Sequence, residues 1–396
     1  MSNEVDVSKL TFEQLKKVRV YLQEMIAIGG SDLHLKANSV VRVRLNGNIV
    51  PFSEDVFTKE DAITFAKELL KGRYAEFVEK KELDLVYPYD ESNRFRVNIF
   101  FQMDGVSAVF RVIPVNIPTL EELNLPEILK KFTHMERGLV LVTGVTGSGK
   151  STTLATLINE INMNKKKHII TIEDPIEFVH KDGECIINQR SVGHDTLSFG
   201  TALRAALRED PDIILVGEMR DKETVNLALH AADTGHLVFS TLHTVDAKET
   251  INRIIAQFPT DEQNRVRLSL AGVIQGVISQ RLIPALDGSR RAAMEIMLRT
   301  PRVEKLIMEN RDYEIKDAIE AGRDHYKSQS FDQSILDLYL DGVISKELAL
   351  ENATSASDLE LKISGLTSGK IATTSKQNKN LSQEEITLED DIFGLK

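Results

Sequence analysis

Gly144-Val145-Thr146-Gly147-Ser148-Gly149-Lys150-Ser151 is the stretch on which the reading of this chain turns. It fits G-x-x-x-x-G-K-[ST] and lies between a short apolar run, Leu139-Val140-Leu141-Val142, and a segment of helical spacing over residues 150–162. Strand, glycine-rich turn and helix in that order make a phosphate cradle. The glycines let successive backbone N–H groups face one anion, and the start of the helix adds its positive end. Lys150 is placed to reach the β- and γ-phosphates of a nucleoside triphosphate such as ATP, and the Ser151 hydroxyl to ligate Mg²⁺. The candidate nucleotide-binding residues are Gly144, Val145, Thr146, Gly147, Ser148, Gly149, Lys150, Ser151 and Thr152.

Working outward, three more short apolar runs follow the loop: His168-Ile169-Ile170-Thr171-Ile172, Ile213-Ile214-Leu215-Val216 and Leu237-Val238-Phe239-Ser240-Thr241. Continuous apolar strands separated by helices predict a parallel sheet covered on both faces, hence an α/β core over residues 127–297. The residues before it read as an α+β domain, 1–113. Leu15, Val18, Leu22, Met25 and Ile26 give a helix over 11–28, stopped by Gly29-Gly30. Val41, Val43 and Leu45 alternate with Arg42, Arg44 and Asn46, and Asn46-Gly47 signals a hairpin. A helix over 59–80 and strands over 82–88, 94–101 and 106–113 complete the domain. Pro114, Pro118 and Pro126 space out an interdomain linker, 114–126. Residues 298–364 are predicted mostly helical. Residues 365–396 are polar and read as a disordered tail, whose closing Ile392, Phe393 and Leu395 fit either a solubilising end or a short docking peptide.

The 396 residues carry 49 Lys and Arg against 60 Asp and Glu, a net charge of −11, which argues against a surface that tracks nucleic acid. One cysteine, Cys185, rules out an intramolecular disulfide and a cysteine-built zinc site, and is expected to be a small core residue. With no long apolar run and no readable signal peptide, the expectation is a cytoplasmic protein.

Nucleotide hydrolysis needs acids near the γ-phosphate. Ile172-Glu173-Asp174-Pro175-Ile176-Glu177 and Ile213-Ile214-Leu215-Val216-Gly217-Glu218 each put carboxylates after an apolar strand, the edge where open α/β sheets bind ligands. Gly217 stands where many phosphate-loop proteins carry Asp. His243 ends a strand and is a candidate γ-phosphate sensor, while His236 fits a structural or a functional role. Arg94, Arg96 and Arg111 lie on strands of the first domain. Arg204, Arg208 and Arg220 are placed either to clamp phosphate or to pair with Glu209, Asp210 and Asp221.

Leu207-Arg208-Glu209-Asp210-Pro211-Asp212-Ile213-Ile214-Leu215-Val216-Gly217-Glu218-Met219-Arg220-Asp221 resembles the signature of the secretion ATPase superfamily. Ser31-Asp32-Leu33-His34-Leu35, Arg94-Phe95-Arg96-Val97-Asn98 and Ser240-Thr241-Leu242-His243-Thr244 are similar to the type IV pilus retraction ATPases, the PilT/PilU family, over about residues 20–364. The resemblance implies a PAS-like first domain and a RecA-like P-loop ATPase core, assembled as a homohexamer. It implies an aspartate box ending in Glu177, a Walker B glutamate at Glu218, a histidine box at His243, and Arg94, Arg96 and Arg111 reaching a neighbour's nucleotide. One of Glu177 and Glu218 would orient the attacking water while the other, with Ser151, helps hold Mg²⁺; the favoured assignment puts Glu177 on the water side and Glu218 on the Mg²⁺ side. The implied task is pilus retraction, hence twitching motility, peripheral to the inner membrane at the pilus base. The implied partners are the platform protein there and a paralogous pilus ATPase, with no nucleic acid. Val145 stands where many members have Pro, and Arg302-Val303-Glu304 where retraction motors often carry Ala-Ile-Arg. Glu314-Ile315-Lys316, Ser330-Phe331-Asp332-Gln333 and Asp337-Leu338-Tyr339 look more like PilU, which leaves an accessory motor open. An extension or secretion ATPase would be expected to carry a four-cysteine zinc module and an added N-terminal region, and a non-hydrolysing scaffold would not need Lys150, Glu177 and Glu218 together.

Overall fold

Side chains of period two and of period three to four alternate along the first hundred residues, and the backbone follows them. The computed structural model describes residues 5–365 except 46, 91–92 and 114–115. The chain forms two units. One comprises Met1–Ile117, Asp174–Lys181 and Gln189–Leu197, and the other the remaining described residues.

In the first unit β1 (Asp32–Lys36), β2 (Ser39–Leu45), β3 (Asn48–Phe57), β4 (Glu82–Pro88), β5 (Arg94–Gln102) and β6 (Gly105–Ile113) form one sheet, in the order β3-β2-β1-β6-β5-β4. Neighbouring strands are antiparallel throughout. The helix Glu13–Ala27 contributes Val18, Leu22 and Met25, and the helix Lys59–Leu70 contributes Phe65, to a core shared with Leu33, Val43, Phe95, Val97 and Phe110. Strand residues alternate between faces, so Arg94, Arg96 and Asn98 lie on the side away from that core. Glu68 is fully buried and caps the first helix from the second: its carboxylate accepts from the backbone N–H of Leu15 at 2.7 Å. The single helix expected over 59–80 is two. Lys59–Leu70 ends where Lys71 takes a φ of 51°, and Tyr74–Lys80 resumes after a 3-10 turn. Gly72 lies in the break, where glycine's poor helix propensity outweighs an apolar period that runs on past it.

The second unit is built on β7 (Gly138–Thr143), β8 (His168–Glu173), the first half of β9 (Ile186–Ser191), whose residues from Gln189 on belong to the first unit, β10 (Ile213–Val216), β11 (Leu237–Leu242), β12 (Ile274–Pro284) and β13 (Arg290–Leu298). Their order is β13-β12-β7-β11-β10-β8-β9. From β12 to β8 the strands are parallel. Every residue of β7, β10 and β11 is buried, which requires cover on both faces. Val140, Val142, Ile169, Leu215 and Phe239 meet Leu157, Ile158 and Ile161 of the helix Lys150–Asn164. Cys185 joins this cluster; burial pushes its thiol up, and its Sγ lies 2.9 Å from the carbonyl of Lys165. The antiparallel hairpin β12–β13 was not expected from the sequence, because Ser279, Gln280 and Arg281 interrupt its apolar pattern.

Two boundaries differ from the expected ones. Leu120 is buried in the core of the second unit, so the stretch from Pro118 belongs to that unit and the linker is shorter than 114–126. Asp174–Lys181 and Gln189–Leu197, expected in the core, belong to the first unit. Beyond β13 the chain is helical, with Phe331, Ile335, Ile344, Ala349, Leu359 and Ile363 packed on Ile283 and Ala293 of the hairpin. The expected tail lies, from residue 366 on, outside the described residues. No described helix is long and apolar enough to cross a membrane.

Candidate active site

Parallel strands put their C-terminal ends on one edge. Along that edge of the second unit come the phosphate loop after β7, His243 after β11, Glu218 after β10 and Glu173 at the end of β8. Strands lie about 4.8 Å apart, so the loop and the Glu218 strand, two strands away, are separated by roughly 10 Å. Gly149 precedes the helix Lys150–Asn164 with a φ of 90°, and no side chain caps that helix. Its N-terminal N–H groups and dipole are thus not taken up by a side-chain cap, an arrangement suited to an anion.

Lys150 is not the surface lysine that its place in a glycine-rich loop suggests. It is 9 % exposed, and its ammonium donates to the carbonyls of Gly144 at 2.9 Å and Val145 at 3.0 Å. The loop thus folds round its own cation, in the shape that suits a phosphate. Ser148 is buried with its hydroxyl lacking a hydrogen-bond partner. Ser151 and Thr152 open the helix.

Glu218 is mostly buried, and one carboxylate oxygen takes the Nε–H of Arg220 at 2.7 Å. Nε2 of His243 is 3.6 Å from the same oxygen, close but too long for a hydrogen bond. The Glu218 loop is held to β11 by hydroxyls: Ser240 donates to the carbonyl of Val216 at 2.7 Å, and Thr241 to that of Gly217 at 2.6 Å. Gly217 donates its own N–H to Ile172 at 2.7 Å, which ties the loop to β8 as well. Glu173 accepts from the Thr171 hydroxyl at 2.6 Å. The hydroxyl of Ser151 and the carboxylate of Glu218 are hard oxygen donors on one edge. That set fits Mg²⁺, which takes few protein ligands and fills the rest of its octahedron with water and phosphate oxygens.

Glu177 belongs to the first unit, as do the three arginines. Arg96 and Arg111 are opposite each other on β5 and β6 and, with Asp84, Asn98 and Val109, line a cleft of about 300 Å³. Arg94 lies on the same face two residues away. Arg111 donates to Asp32 at 2.6 Å. Against the upward push of burial, the Ser31 hydroxyl and Arg111 hold the Asp32 carboxyl below its ordinary value. Arg96 lies 3.9 Å from Asp84, a looser pair, so its guanidinium can turn to an anion at lower cost.

Three of the remaining candidates, Arg204, His236 and Arg220, are taken up in local contacts. Arg204 pairs with Glu223 rather than with Glu209 or Asp210. His236 meets the carbonyl of Ala231 at 3.0 Å, at the end of the helix Lys222–Asp233. Arg220 pairs with Glu218 itself, not with Asp221, whose carboxylate caps that helix by accepting from Thr224 at 2.8 Å. Sequence reasoning missed Ser279, Gln280 and Glu295. Their only signal is polarity inside apolar strands.

The type II/IV secretion system protein family is matched over residues 16–332. The chain belongs to that family. It is 47% identical over 326 residues to the type IV pilus retraction ATPase PilT of Pseudomonas aeruginosa, a match covering 82% of this chain and 94% of that protein. It is 41% identical over 344 residues to the type IV pilus ATPase PilU of the same organism, covering 86% and 90%. Among solved structures, the pilus retraction motor PilT with bound ADP superimposes with a TM-score of 0.81 at 43% identity, over 87% of this chain and 98% of that one. The Legionella pneumophila ATPase DotB follows at 0.71 and 26%, over 88% and 96%. Family membership thus rests on both units, since the match begins in the helix Glu13–Ala27 and runs to residue 332, among the C-terminal helices.

Proposed function

We propose that this chain is an ATP-hydrolysing motor that powers type IV pilus retraction and so twitching motility. The observation that carries it is the edge of the parallel sheet, where an anion-shaped glycine loop, a largely buried glutamate and a histidine follow neighbouring strands. Its family relatives named for pilus retraction cover nearly their whole length in this alignment. In this reading the second unit is a RecA-like core and the first a PAS-like domain. Gly144–Thr152 bind ATP, and Ser151 and Glu218 hold Mg²⁺. When bound, that ion neutralises charge on the phosphate oxygens. Glu177 orients the attacking water, and His243 reports whether the γ-phosphate is present.

The subunits assemble as a homohexamer on the cytoplasmic side of the inner membrane, against the platform protein at the pilus base. Arg94, Arg96 and Arg111 serve the nucleotide of a neighbouring subunit, supplying charge where the transition state spreads it over phosphate oxygens. The higher identity to PilT than to PilU favours the primary motor over an accessory one. A deletion strain tests the reading. Abundant surface pili without twitching is the expected result. Absence of pili would make the protein an extension ATPase, and retention of twitching in the strain would make it accessory. Phosphate release by the purified protein excludes a non-hydrolysing scaffold.

A further inference from the structure

We propose that Ser279 and Gln280, consecutive residues of β12, are positioning residues that hold the phosphate loop in its binding shape from both of its flanks. The proposal rests on the reading of Gly144–Ser151 as the nucleotide site. Thr143 is the last residue of β7 and stands immediately before Gly144. It lies opposite Ser279 in register, and its hydroxyl donates to Ser279 Oγ at 2.9 Å. Thr153 sits in the first turn after the loop, and its hydroxyl donates to Gln280 Oε1 at 2.8 Å. Neighbouring residues on a strand face opposite sides of the sheet, so the two ties reach the loop from opposite faces. All four residues are buried, with exposures of 0 % for Thr143 and Ser279, 1 % for Thr153 and 3 % for Gln280.

The backbone contacts agree. A methyl group built on Gly144 would come 2.4 Å from the carbonyl oxygen of Gln280, and one on Gly149 would come 2.7 Å from its Nε2. Gln280 therefore lies directly against both ends of the glycine loop. A loop of this composition has many conformations when empty, and ordering it opposes binding. Two ties that fix its flanks remove much of that cost in advance, as preorganisation does for any ligand. Neither residue need touch phosphate. Their effect falls on ground state and transition state alike, so nucleotide affinity moves and the rate at saturation does not.

Calorimetric titration of the full-length protein with ADP tests this, together with kcat at saturating ATP and the thermal midpoint. Gln280→Ala, Ser279→Ala and Thr153→Val are each expected to weaken ADP about fivefold, the worth of one buried neutral hydrogen bond, with kcat within about threefold of wild type. Thr153→Ser keeps the hydroxyl and is expected within about twofold of wild type. Because Gln280 and Thr153 act as one pair, the Gln280→Ala, Thr153→Val double variant should bind no worse than the weaker single. Near-isosteric Thr153→Val and Ser279→Ala carry the test if Gln280→Ala folds poorly. Lys150→Ala is the control and is expected to lose ADP binding. If it does, while Gln280→Ala and Thr153→Val bind as wild type or the double variant is additive, the brace is overturned and the nucleotide site stands. Wild-type ADP affinity in Lys150→Ala overturns the site, and the brace with it.

Discussion

Glu218 is mostly buried at the C-terminal edge of the parallel sheet, beside Arg220 and His243. Glu218→Gln keeps the shape and the Arg220 contact while removing the charge that, in the proposed reading, holds Mg²⁺. ATP turnover should fall by about a hundredfold or more, with an unchanged thermal midpoint. Phosphate release above a tenth of the wild-type rate would take Glu218 out of the mechanism. Glu295, on β13, shows a different consequence of burial. Desolvation pushes its carboxyl up to about 7; Asp246 adds to the rise, while the N–H of Ala247, Lys316 and Arg281 oppose it. The folded state therefore holds this proton over a window, between the ordinary carboxyl value and about 7, in which the unfolded chain has released it. Stability from this group is greatest at the acid end and declines as pH rises through 7, by up to about 3 kcal/mol. Gln can still accept from Ala247 but cannot ionise. Glu295→Gln should thus melt higher than wild type at pH 8 and close to it at pH 4, as read by paired thermal scans. An equal gap at both values would remove the titration. At this scale the phosphate loop was legible because its chemistry is local. Glu295 was not, because its proton affinity is made by strands and helices distant in the chain.

Elements that carry a continuous apolar run were readable: β7, β8, β10 and β11 lie within a residue or so of their expected bounds, and their parallel pairing follows from the helices between them. The hairpin β12–β13 was hidden because polar residues face the phosphate loop and the helix at Ala247 from inside the sheet. The broken helix over 59–80 was missed for the opposite reason, since its apolar period continues through a glycine that stops the backbone. How elements hold one another can be tested at Glu68, which caps the helix Glu13–Ala27 from the helix Lys59–Leu70. Glu68→Ala leaves the half-buried N–H of Leu15 without its acceptor and should cost about 1–3 kcal/mol, measured by urea unfolding. Glu68→Gln retains an acceptor and should recover most of it. Equal losses in the two variants would mean that charge, not the cap, is what matters. A second case is Gly276 on β12, where a methyl group would lie 2.3 Å from the ring of Phe132. Gly276→Ala should destabilise by about 1–3 kcal/mol through overpacking, and Phe132→Leu in the same chain should relieve part of it.

For the whole molecule, the separation of residues between two units decides the test. Arg96 belongs to the first unit and the phosphate loop to the second. If the working site is completed by a neighbour, subunits carrying Lys150→Ala mixed with subunits carrying Arg96→Ala should recover part of the ATPase activity, because one boundary then combines an intact loop with an intact arginine. Mixtures that never exceed the sum of the separate activities would place the arginine in its own subunit's site. Arg96 is the better choice than Arg111, whose loss would strip a partner from the buried Asp32 carboxylate. The two-unit plan was legible from the proline-spaced stretch and the change of pattern after it. The membership of Asp174–Lys181 was not, because only the folded chain carries a segment from the middle of the core into the first unit.

The sole cysteine, buried in the core with its thiol pushed up, is slow to meet an alkylating reagent. A second cysteine introduced at an exposed position such as Met103, which is 94 % exposed, would then be the one fast-reacting thiol in each subunit. The wild-type chain thus serves directly as a background for site-specific dyes or spin labels, and inter-subunit distances in the proposed ring can be followed without first removing a native sulfur.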